Sequence, residues 1–106
     1  MNLYWLPTAE EDLDSLFHYY AEDKSRKYAV KIYNEILDSA EKLIDFPEMG
    51  AVEHGLSETE DEYRSLLVKK NIKIIYLIED SSIYVIALFD CRQDPKTNKQ
   101  KINKSL

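Results

Sequence analysis

Apolar positions along this chain keep a helical period in its first half and change to a strand period in its second. Residues 2–6, with Leu3, Tyr4, Trp5 and Leu6, form a short apolar and aromatic run that predicts a strand, and Pro7 stops it. Thr8-Ala-Glu-Glu11 then has the form of a capping box, in which the Thr8 hydroxyl accepts from the N–H three residues on and Glu11 reaches back. Leu13, Leu16, Phe17 and Tyr20 stand at i, i+3, i+4 and i+7, which predicts a first helix with one apolar face. Residues 22–25 make a polar break, and Ser25 is placed to cap a second helix. Ala29, Ile32, Tyr33, Ile36, Ala40, Leu43 and Ile44 hold helical spacing up to Phe46, where Pro47 ends the run. So short a turn predicts an antiparallel helical hairpin.

Residues 47–62 contain both glycines, Gly50 and Gly55, and a dense acidic run, and are expected to form a long loop. Three strands are predicted over about 63–69, 72–79 and 83–90, with turns at Lys70-Asn71 and Asp80-Ser81-Ser82, so consecutive hairpins should join them. Ile83 to Phe89 is apolar on both alternations, as a strand covered on both faces requires, and is expected inside the sheet. The order β-α-α-β-β-β predicts an α+β domain with the helical hairpin packed on one face of a mostly antiparallel sheet. One domain over residues 1–92, followed by a polar, basic C-terminal tail over 93–106, accounts for the length. The sheet face away from the helices, with its basic positions, is the expected working surface.

Charge sharpens that expectation. Residues 1–62 carry 16 of the 20 acids and only 5 of the 14 Lys/Arg, whereas residues 63–106 carry 9 Lys/Arg against 4 acids. The acidic total of −6 therefore hides a basic second half suited to an anionic partner. The same total disfavours a general nucleic-acid binder. No apolar run is long enough to span a bilayer, and the N-terminus lacks a basic start leading into an apolar stretch, so cytoplasmic residence without membrane contact is expected.

The residues that could carry chemistry are few. His18 and His54 lie far apart, Cys91 is the single cysteine, and no His or Cys pair has metal-ligand spacing, so neither a metal nor a disulfide is expected. Without a Gly-rich phosphate loop no cofactor is implied. Cys91 beside Arg92 reads as an inert strand-end thiol, and Lys69 and Lys70 as solvated turn charges. Tyr20, Tyr28 and Tyr33 read as core-boundary residues, while Tyr76 and Tyr84, on strands, could equally stack on bases.

Taken in order, Trp5 and Ala9, Asp12-Leu, Tyr19-Tyr20, Ala29, Ile36, Leu43, Phe46-Pro47-Glu-Met-Gly50, Tyr63-Arg64, Ile72-Lys-Ile-Ile-Tyr76 and Val85–Arg92 resemble the RelE/ParE family of bacterial toxins over residues 4–95. The resemblance implies the toxin half of a type II toxin–antitoxin pair, neutralised by a cognate antitoxin that wraps an acidic C-terminal segment around it. One branch cleaves mRNA on the ribosome without a metal, by attack of a ribose 2′-hydroxyl on the adjacent phosphate; that needs a base, cations for the phosphoryl charge and an acid. The other inhibits DNA gyrase by binding.

Residue by residue, the resemblance places Arg64, Lys73 and Arg92 where the cleaving branch carries basic groups, and these are the catalytic candidates for a ribonuclease. Leu66 stands where that branch has another basic residue, Lys73 stands where an Arg is usual, and no Tyr or His follows Tyr84 to serve as the late acid or base. The departures favour the ParE-like, gyrase-binding branch, with a ribosome-dependent mRNA endonuclease or an inactive family member as alternatives. On the binding reading Arg64, Lys69, Lys73 and Arg92 form the partner surface, with the acidic antitoxin segment as the anionic partner.

Overall fold

A computed structural model describes residues 1–53 and 62–90. Its elements are β1 (Asn2–Trp5), α1 (Pro7–Asp23), α2 (Arg26–Asp45), β2 (Ala51–Val52), β3 (Tyr63–Val68), β4 (Ile72–Glu79) and β5 (Ser82–Asp90). The five strands form one sheet in the order β1-β5-β4-β3-β2, parallel between β1 and β5 and antiparallel elsewhere. The architecture is α+β, a helical hairpin on one face of a mixed sheet. β5 lies between β1 and β4, inside the sheet as its double apolar alternation requires. The strand β2 falls within the stretch expected to be loop; two residues are too few for an alternation to register.

The second helix follows its sequence signals closely. The Ser25 hydroxyl accepts from the Tyr28 N–H at 3.0 Å, and Ala29, Ile32, Ile36, Ala40 and Leu43 form the buried face. The first helix starts differently from its expected capping box. Pro7 occupies its first turn, Leu6 is the cap residue, and no side chain caps it. The Thr8 hydroxyl is engaged elsewhere and donates to the Ile86 carbonyl at 2.9 Å.

That contact secures an irregularity in β5. Adjacent residues Ile75 and Tyr76 of β4 face Ala87 and Val85, so Ile86 is an extra residue, a β-bulge. The bulge switches the parity of β5: Ile83 and Val85 face the helices before it, and Leu88 does so after it. Asp12, buried on α1, accepts from the Leu88 N–H at 3.0 Å, while the Leu6 N–H donates to the Val85 carbonyl at 3.0 Å. Leu6 and the start of α1 thereby satisfy β5 backbone groups at and beyond the end of β1.

Between sheet and helices lies the main core, with Leu13, Leu16, Ile32, Ile36, Ile72, Ile74, Val85 and Leu88 at its centre. The opposite face is not the open basic surface expected from sequence. Tyr63, Ile75, Ile86, Ala87 and Phe89 form a second buried apolar cluster there. Among the described residues no helix is long and apolar enough to cross a membrane.

Candidate partner-binding surface

Arg64 and Lys73 do not share a face, contrary to the expected anion-facing cluster. Arg64 pairs across the ladder with Tyr76, which packs against Leu43 of α2, so this position belongs to the helix side. Lys73 pairs with Leu67 and Phe89 and belongs to the other side, beside the second cluster. Successive strand residues alternate faces, and positions 64 and 73 reach opposite ones through the β3–β4 register. Arg92, the third candidate, lies outside the described residues, as do His54, Cys91 and the tail 93–106.

Both cations are already engaged within the chain. Lys73 Nζ lies 3.0 Å from Glu53 Oε1, and the Ser65 hydroxyl donates to that same oxygen at 2.5 Å. Glu53 follows β2 directly, and its N–H donates to the Tyr63 carbonyl at 2.8 Å, which fixes where the carboxylate stands. Lys69, in the left-handed region at φ 65° in the β3–β4 turn, pairs with Glu35 of α2 at 3.3 Å. It is therefore half-shielded rather than a freely solvated turn charge.

Arg64 instead supports the chain segment after α2. Its Nη1 donates to the Gly50 carbonyl at 2.9 Å and more distantly to that of Glu48 at 3.4 Å, while Nη2 lies 3.5 Å from Glu62. Tyr76, fully buried, completes the support from below: its hydroxyl donates to the Pro47 carbonyl at 2.7 Å and accepts from the Gly50 N–H at 2.9 Å. Burial pushes the Tyr76 pKa above its ordinary 10.0, against opposing pulls from the Gly50 N–H and the Arg64 charge. The absence of a side chain at Gly50 is what lets the loop sit this low. A Cβ there would come within 2.6 Å of the Tyr76 hydroxyl and 2.7 Å of the Ser65 carbonyl.

The segment held in this way presents Phe46 and Met49 to solvent, and they flank an apolar hollow completed by Pro47 and Glu48. Sequence reasoning used these residues as the end of the second helix, the start of a loop and marks of resemblance, not as a surface. Their Phe-Pro-x-Met-Gly spacing after an amphipathic helix was the available signal for a shaped, exposed loop. Glu53 was also missed, because nothing local links it to a lysine 20 positions later.

Other candidates resolve simply. Tyr76 is too buried to stack on a base, and the Tyr84 ring already stacks on Tyr4, with centroids 5.6 Å apart. His18 is exposed, 3.4 Å from Asp14 one turn earlier. Among the described residues no group of His, Cys, Asp and Glu could hold a metal ion.

Leu66, at the position where a second basic group would be needed for cleavage, packs into the core between sheet and helices. Among the described residues, then, no two basic side chains converge on a site for one phosphate. The described residues instead present a lysine paired with an internal carboxylate on one side and a hydrogen-bonded apolar loop on the other.

Comparisons with known proteins agree with this architecture. A search of curated protein sequences finds no match. Among solved structures the chain is similar to one titled "Chromosomal ParDE TA system from P. aeruginosa", with a TM-score of 0.71 and 21% identity over 85% of this chain and 95% of that one. At that identity the likeness speaks for the fold. The family model described as ParE toxin of type II toxin-antitoxin system, parDE, matches residues 3–95. By that match over most of its length, the chain belongs to the ParE toxin family of type II toxin–antitoxin systems.

Proposed function

We propose that this toxin acts in the cytoplasm by binding DNA gyrase, and that a cognate antitoxin neutralises it through an acidic segment. The observation that carries the choice of binding over cleavage is the disposition of the basic residues. Arg64 is committed to backbone carbonyls on the helix side, Lys73 to Glu53 on the other, and Leu66 to the core. Cleavage of RNA needs cations preorganised around one phosphate and groups to move two protons. Gyrase inhibition by binding needs neither.

For the antitoxin, Lys69, Lys73 and Arg92 are the proposed contacts, while Arg64 supports the loop on the face opposite Lys73. Glu53 then stands in for the carboxylate that the antitoxin would bring, and the two compete for Lys73. DNA supercoiling by purified gyrase tests the main proposal. Loss of supercoiled product on titration with the toxin alone supports it. Full supercoiling at micromolar toxin refutes it.

A further inference from the structure

The end of α2 carries a surface that works against the stability of the fold. Asp38, Glu41 and Asp45 stand at i, i+3 and i+7, align on one helical face, and are all exposed. Asp45 is the last residue of the helix, where the carbonyl end is partially negative and a carboxylate is unfavourable. Immediately beyond, Phe46 and Met49 are 63% and 44% exposed. Lys42 is the single cation among residues 38–49.

Exposed apolar side chains often sit on loose loops, but this loop is held. The Tyr76 hydroxyl and Arg64 guanidinium bind backbone groups of Pro47, Glu48 and Gly50. A fixed backbone presenting two large apolar side chains loses little conformational entropy on association, which is how binding hot spots are built. Charge then selects the occupant. An acidic antitoxin segment would be repelled by Asp38, Glu41, Asp45 and Glu48, whereas an apolar pocket with a Lys/Arg rim fits both the knob and its fringe.

We propose that the Phe46–Met49 knob, with its acidic fringe, docks into a basic-rimmed apolar pocket on the toxin's protein target, apart from the surface that meets the antitoxin. Identifying that target as gyrase rests on the function proposed above. An enzyme that handles DNA must carry basic surface for phosphates, so such a rim is chemically at home on it.

The test is gyrase supercoiling with wild type, a Phe46→Ser/Met49→Ser variant and a Glu41→Lys/Asp45→Lys variant, each checked by thermal melting and sedimentation velocity. The apolar variant is expected to need about tenfold more protein or greater for half-inhibition. The charge-reversed variant is expected to inhibit less at low salt while melting higher, because Lys at the carbonyl end favours the helix dipole. A more stable, weaker inhibitor cannot be explained by misfolding. Wild type and both variants inhibiting alike would overturn the proposal and leave the gyrase reading standing. No inhibition by wild type refutes the gyrase reading and the inference with it. A wild-type dimer that the apolar variant dissolves assigns the knob to a second copy and also overturns it.

Discussion

Tyr76 is the point from which the shape of the exposed loop can be altered with least other damage. Tyr76→Phe keeps the buried ring and removes one oxygen, which serves the Gly50 N–H at 2.9 Å and the Pro47 carbonyl at 2.7 Å. The Tyr76 bond to the Pro47 carbonyl is only partly buried, so that carbonyl can turn to water. The Gly50 N–H is buried, and leaving such a donor unpaired costs about 1–3 kcal/mol. Arg64 still grips the Gly50 carbonyl, which limits how far the loop can move to find solvent. A loss of about 2 kcal/mol, or about 8 °C in Tm for a domain of this size, is expected. Gly50→Ala attacks the same junction by crowding: its Cβ would meet the Tyr76 ring at 2.8 Å and the Ser65 carbonyl at 2.7 Å, beyond the hydroxyl itself. Overpacking costs about 1–3 kcal/mol, and the displaced loop has already lost its bond to Tyr76. The double variant should therefore lose less than the sum of the singles in urea unfolding. An unchanged Tm for Tyr76→Phe, or strictly additive losses, would refute this view of the junction.

Because burial raises the Tyr76 pKa above 10.0, its stabilising share is complete below pH 10 and is lost as pH rises through the folded-state value; the unfolded chain ionises first. Unfolding titrations above pH 9 should thus fall less steeply for Tyr76→Phe than for wild type. Asp12→Ala strands the buried Leu88 N–H and should cost about 1–3 kcal/mol by urea unfolding, whereas Asp12→Asn, which keeps an acceptor oxygen, should cost less. Lys73→Ala should barely move stability, since its pair with Glu53 is partly exposed, but should weaken antitoxin binding by calorimetry; Glu53→Gln should strengthen it.

Much of this fold can be read from periodicity. The faces of both helices, the Ser25 cap and the β3–β4–β5 hairpins follow from signals within a few residues of one another. The failures share a cause. Thr8 and Glu11 satisfied a local capping pattern, yet Thr8 turned to a bulge carbonyl 78 positions away. That bulge also hid the sidedness of β5, because one extra residue exchanges inward and outward positions. At the site, sequence could mark Arg64 and Lys73 as basic strand residues but not their opposite faces, which depend on the register. Their internal partners, Gly50 and Glu53, are joined to them only by tertiary folding. An Arg64→Ala variant accordingly tests the loop's support as much as any contact with a partner.

The claim that this toxin binds gyrase rather than cutting RNA is tested most directly in cells expressing it without antitoxin, by reading plasmid topology and mRNA 5′ ends from one culture. Gyrase binding predicts loss of negative supercoiling in the reporter plasmid with no new mRNA ends. New, ribosome-dependent mRNA ends beside a normally supercoiled plasmid would contradict it.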